Sequence, residues 1–115
     1  YIVIKYEANI FLMRRYNKLV RDKIPEHLDK LNLKHKTHIA DNNEYFWKLK
    51  EKLMEEVTEF IKEDTLEELA DIVEVVHALA AYKNTTPKEL EDIRTQKERE
   101  RGAFKKRIIL DVAEE

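Results

Sequence analysis

Between Lys52 and Val76, in KLMEEVTEFIKEDTLEELADIVEVV, carboxylates stand three residues apart twice: Glu56 with Glu59, then Glu68 with Asp71. Residues at i and i+3 share a face of an α-helix. Two such pairs on neighbouring antiparallel helices would converge as four carboxylates. So close a group repels itself unless it holds divalent cations, and an all-oxygen donor set suits Mg²⁺, with Mn²⁺ as the alternative, far better than zinc or copper. Either pair alone means little, because a chain with 24 acidic residues places such spacings on solvated helix faces by chance. Glu68 also has a second explanation, as the partner of Thr65 in a helix-capping box. The weight falls on the two pairs together.

Cations accompany them. Leu90 and Ile93 mark the inward face of a later helix, and one turn on the same stripe continues as Arg94, Lys97 and Arg101. Basic residues near a helix C-terminus also complement its dipole. Lys97 and Arg101, four apart, nevertheless make a clamp suited to a polyphosphate. A second group, Lys18, Arg21 and Lys23 in YNKLVRDKIP, surrounds an expected helix N-terminus, where free N–H groups favour anions. Ordinary surface charge is the alternative for these three. Carboxylate-held metal beside basic side chains is the chemistry that cleaves a phosphoanhydride. A single glycine in the chain leaves no Walker loop, so a P-loop mechanism is excluded.

The elements that must position these groups are helices. A first is expected over roughly 20–32, with Pro25 in its first turn. A second, about 44–63, follows from Phe46, Leu49, Leu53, Val57 and Phe60 recurring at steps of three and four. Glu56 and Glu59 flank that stripe, whereas Glu55 points nearly opposite the core. Thr65 with Glu68 starts a third helix that runs to about Tyr82, and Thr86, Pro87 and Glu89 start a fourth that ends at Gly102 in an expected left-handed cap. Leu66, Leu69, Ile72, Val73, Val75, Val76, Leu79 and Ala80 cover more than half of the third helix, so it should be buried on more than one side. Glu68 and Asp71 project into that apolar arc, where something positive should meet them. The closing FKKRIIL is expected as a docked strand or an extended tail, and the opening YIVIKYEANIFL as an upstream extension or an added edge strand without a functional role.

Composition sets the outer limits. One domain of 115 residues gains from burying further surface in a partner, so an oligomer is expected. A formal net charge of −2 gives no general basic field for nucleic acid or anionic membrane. No cysteine is present, which excludes thiolate chemistry and disulfides. The four histidines show no ligand spacing, although His35 and His38 could lie near each other. No apolar run approaches the ~20 residues of a membrane span, and the expected location is the cytoplasm.

EEVTEF followed by EELADI resembles the EExxE-then-ExxD signature of the all-α nucleoside triphosphate pyrophosphohydrolases, the MazG group that includes phosphoribosyl-ATP pyrophosphohydrolase. YNKLVRDKIPE resembles the opening of its MazG-like, phosphoribosyl-ATP pyrophosphohydrolase-like branch, and KERERGAFKKRIIL its closing segment, so the resemblance runs from about Tyr16 to Leu110. The spacing between the acidic motifs is tighter than in many members. The resemblance implies an all-α helical bundle of four main helices completed by oligomerisation as a homodimer or homotetramer. It implies Mg²⁺ on Glu56, Glu59, Glu68 and Asp71, with Glu55 and Glu67 as nearby acidic support. Lys97 and Arg101 match the family's cationic pair and imply phosphate contacts. The implied reaction is attack of a metal-activated water between the α and β phosphates of a nucleoside triphosphate, releasing the monophosphate and pyrophosphate. No separate general base stands out, so Glu56 or Glu59 is assigned that part as well. Glu74 continues the 68, 71 ladder toward the far side.

The resulting division is an extension at 1–15, a pyrophosphohydrolase domain at 16–110 and a tail at 111–115. The expected partner is a nucleotide, with no stable nucleic acid and no membrane. Tyr45, Phe46 and Trp47 are candidates for stacking on a base, or else core and interface residues. Two alternatives stand: phosphoribosyl-ATP pyrophosphohydrolase of histidine biosynthesis, and a helical interaction module without catalysis.

Overall fold

Side chains at positions 2, 4, 11 and 13 alternate with those at 3, 5, 10 and 12, the period of a strand whose two faces differ. In the computed structural model, which covers residues 1–115, the opening segment forms a hairpin of β1 (Ile2–Tyr6) and β2 (Asn9–Met13). The pairing is antiparallel, with Ile2 opposite Met13 and Ile4 opposite Phe11. These four side chains are half-buried, whereas Val3, Ile10 and Leu12 on the other face are exposed. Glu7 turns the hairpin with a positive φ of 57°. The expected all-α class is therefore corrected to a mixed one, four helices with a two-stranded sheet. The strands pair with each other and need no edge elsewhere, which is why a segment set aside as an extension has order of its own.

Two compact units divide the chain, Tyr1–Leu79 and Ala80–Glu115. In the first, α1 (Ile24–Lys30) is shorter than the expected 20–32. Lys23 at its N-cap offers no side-chain acceptor, and Pro25 in the first turn stops the helix from extending backwards. α2 (Asn42–Glu63) begins where the Asp41 carboxylate accepts the Glu44 N–H at 2.8 Å, two residues before the expected start. It ends at Asp64, whose left-handed backbone takes a role usually given to glycine or asparagine. Only Asp64 and Thr65 separate it from α3 (Leu66–Tyr82), whose first turn is tied by Thr65 Oγ1 accepting the Glu68 N–H at 3.4 Å. Within this unit Leu49 is 2% exposed and Val75 is also buried. By contrast Met54, Val57 and Ile61 on α2, and Leu66, Leu69 and Val73 on α3, repeat at helical spacing on exposed positions. The third helix is thus not covered on the several sides that its composition suggested.

The second unit contains the end of α3 and α4 (Pro87–Arg101). Thr86 caps α4 by accepting the Glu89 N–H at 3.1 Å, and its own hydroxyl donates to the Glu89 carboxylate. Gly102 closes it with φ 82° and ψ 175°. The expected left-handed cap is corrected to a conformation that also demands glycine, since its extended ψ at positive φ is open to almost no other residue. Past Gly102 no strand forms, and Phe104, Ile108, Ile109, Leu110 and Val112 are exposed. The tail instead makes a turn in which the Arg107 N–H donates to Phe104 O at 3.2 Å.

Leu49→Ala should lower the unfolding free energy by about 3 kcal/mol, the usual cost of emptying a packed leucine site. A urea titration followed by circular dichroism would measure it.

Candidate metal centre

α2 carries Glu55, Glu56 and Glu59, α3 carries Glu68 and Asp71, and only Asp64 and Thr65 lie between the two helices. Glu56, Glu68 and Asp71 each present one carboxylate oxygen, and the three oxygens lie within 4.8 Å of one another. Glu56 is the most enclosed, its side chain 12% exposed, and Glu68 and Asp71 are half-buried. Glu59 stands outside this trio, close enough for its charge to act on Glu68. Three carboxylates with no nitrogen or sulfur among them are a donor set of the kind a hard divalent cation takes.

The electrostatics record the crowding. Partial burial pushes the Glu68 carboxyl above its ordinary 4.5, and the negative charges of Asp71, Glu56, Glu59 and Glu63 push it the same way. Glu55 behaves oppositely. Its partial burial pushes it up, but the Lys18 hydrogen bond and the charges of Lys52 and Lys18 outweigh that and hold its carboxyl below the ordinary range.

Three cations meet these acids. Lys18 Nζ reaches Glu55 at 3.0 Å, Lys52 Nζ lies 3.4 Å from Glu55 and 3.3 Å from Glu56, and Arg21 Nη2 donates to Asp71 Oδ1 at 2.7 Å. At the expected anion site around a helix N-terminus, two of the three cations face acids. α1 has only seven residues, and Lys18 and Arg21 turn to carboxylates. Lys23 is exposed without an ion pair, so the structure does not gather the three into one phosphate site. Lys52 and Glu63 went unnoticed in the sequence. Lys52 was visible in principle, three and four residues ahead of Glu55 and Glu56 at ion-pairing distance along a helix.

In the second unit Arg94 is held by Glu91 at 2.6 Å and Glu98 at 2.9 Å. That clamp raises the guanidinium's pKa above its ordinary value, and the Arg94 hydrogen bond lowers that of Glu91. Lys97 and Arg101 on the same helix are exposed and form no ion pair. Glu67 and Glu74 are exposed on α3. His35 and His38 find separate partners, Leu33 O and the Glu44 carboxylate. Trp47 is 61% exposed, and Lys50 Nζ lies 3.9 Å from the Phe46 ring centre and 5.6 Å from that of Trp47. Tyr45 and Phe46 are half-buried.

Compared with protein-family models, curated proteins and solved structures, the chain matches none. No helix is long and apolar enough to cross a membrane.

The raised Glu68 pKa carries a sign. Between the unfolded value of 4.5 and the higher folded one the native state binds more protons, so the metal-free fold gains stability as pH falls through that window and loses it as pH rises. Glu68→Gln should therefore raise the melting temperature of metal-free protein at neutral pH, with the advantage vanishing near pH 4.5. Thermal melts in EDTA across that range would check it. In the unsubstituted protein Mg²⁺ affinity should weaken as pH falls through the same window, because proton and metal compete for one carboxylate.

Proposed function

We propose that this chain is a Mg²⁺-dependent nucleotide pyrophosphohydrolase of the MazG-like type, cleaving between the α and β phosphates of a nucleoside triphosphate to the monophosphate and pyrophosphate. The observation that carries the reading is the trio of carboxylate oxygens from Glu56, Glu68 and Asp71 within 4.8 Å of one another. The raised Glu68 carboxyl supports it: partial burial raises it first and the charges of Asp71, Glu56, Glu59 and Glu63 add to that, and a hard cation would relieve their repulsion.

Glu56, Glu68 and Asp71 would hold the metal, and Glu59 stands beside them as a fourth carboxylate. Magnesium, when bound, neutralises phosphate oxygens and lowers the pKa of a water molecule. Glu56 or Glu59 would take the proton that the attacking water loses. Lys97 and Arg101, in the second unit, are basic residues that no acid on α4 engages. The exposed stripes of α2 and α3 would be covered in a homodimer or homotetramer, and the cytoplasm is the compartment in which such an enzyme would meet its nucleotides.

Purified protein offered the common and deoxy nucleoside triphosphates with Mg²⁺ should release pyrophosphate rather than orthophosphate, and EDTA should stop it. No turnover of any nucleotide would leave the helical interaction module as the better reading. Glu56→Ala and Asp71→Ala should each lower turnover more than about 100-fold by removing a metal ligand. Both should keep their fold, with metal-free stability equal or higher because a repelling charge is gone. Retained turnover in either would place the site elsewhere.

A further inference from the structure

We propose that Arg21 is a resident counter-ion of the metal centre: it holds Asp71 while no divalent cation is bound, releases it when one arrives, and is then available to the phosphates of the nucleotide. The inference rests on the metal-dependent reading above and concerns how that site is kept before it is loaded.

Arg21 and Asp71 lie 50 positions apart in sequence, and their bond at 2.7 Å joins the connection between β2 and α1 to the second turn of α3. Asp71 belongs to the carboxylate trio. A guanidinium on its Oδ1 occupies a lone pair that a metal would need, and an Mg²⁺ arriving beside it would meet a like charge a few ångströms away. Arg21 is exposed at 56% and Asp71 half-buried at 36%, so water reaches the pair and screens it, and it is of the kind that is readily exchanged.

Lys52, the other cation touching the trio, is placed differently. It reaches Glu56 along its own helix, is 17% exposed, and has Glu55 as a second partner when Glu56 is taken. Arg21 has no second carboxylate. Released from Asp71, it remains tethered next to the cation, where a planar donor fork suits the phosphate oxygens that the same cation draws in. One residue thereby neutralises Asp71 and would contribute to the metal-loaded site.

The test is calorimetric titration of the full chain with MnCl₂, then titration of the Mn²⁺-saturated protein with a triphosphate analogue that has a methylene group between the α and β phosphates. Arg21→Gln should bind Mn²⁺ about three- to tenfold more tightly than the unsubstituted chain, and its affinity for the analogue should fall about tenfold. Lys30→Gln removes a cation whose partner is Glu26 and should change neither. Asp71→Asn reports on the metal centre itself and should lose Mn²⁺ binding. If Asp71→Asn loses Mn²⁺ while Arg21→Gln binds it no more tightly than before, the counter-ion role is overturned and the metal centre stands. Tighter Mn²⁺ with undiminished analogue affinity overturns the transfer to phosphate. Absence of Mn²⁺ binding in every form overturns the proposal and the metal reading together.

Discussion

Repulsion among carboxylates drawn together across a helical hairpin is the constraint to which the first unit of the chain responds. Asp64 and Thr65 leave α2 and α3 no slack, and acids from the two helices approach within 4.8 Å. Three oxygens within 4.8 Å cannot all keep their charge at no cost. One carboxyl, Glu68, is raised, and cations gather at the others: Lys52 along its own helix, Lys18 and Arg21 from a distant connection.

Exposure decides what these contacts are worth. A deeply buried ion pair is hard to break, because either partner left alone faces a desolvation penalty of several kcal/mol. Arg21 and Asp71 are wetter than that, and their pairing contributes little to stability by the usual measure of surface ion pairs. The cluster is thus neutralised without being sealed. α4 shows the contrasting case. Its Lys88–Asp92, Arg94–Glu91 and Arg94–Glu98 pairs satisfy charges locally, as expected for a helix that is polar nearly all round, whereas Lys97, Arg99 and Arg101 form no ion pair.

How much could be read in advance followed the range of the interaction. Helices α2, α3 and α4 lie within two residues of expectation because their signals are local: Thr65 and Thr86 accept N–H groups three residues on, and the apolar steps of Phe46, Leu49 and Leu53 set the buried face. The approach of Glu56, Glu68 and Asp71 could be anticipated from spacing plus a short connection. Glu59 shared that spacing but not the outcome, since a side chain on the edge of a face points past the cluster as easily as into it. The hairpin was underestimated because both strands fit within thirteen residues whose apolar character also suits an extension. α1 was overestimated because the basic residues before Pro25 could not be told from a first turn.

The sequence by itself determined which residues could chelate, where three helices begin and end, and that no thiolate or glycine-rich loop takes part, since each follows from residue types and from interactions spanning four residues or fewer. Only the tertiary structure decided which carboxylates meet and which cations reach them. Arg21 and Asp71 are 50 positions apart, and Lys18 and Glu55 are 37. No periodicity links residues so distant. Their pairing depends on how the β2–α1 connection crosses the helical hairpin, a result of packing the whole unit that no local signal encodes.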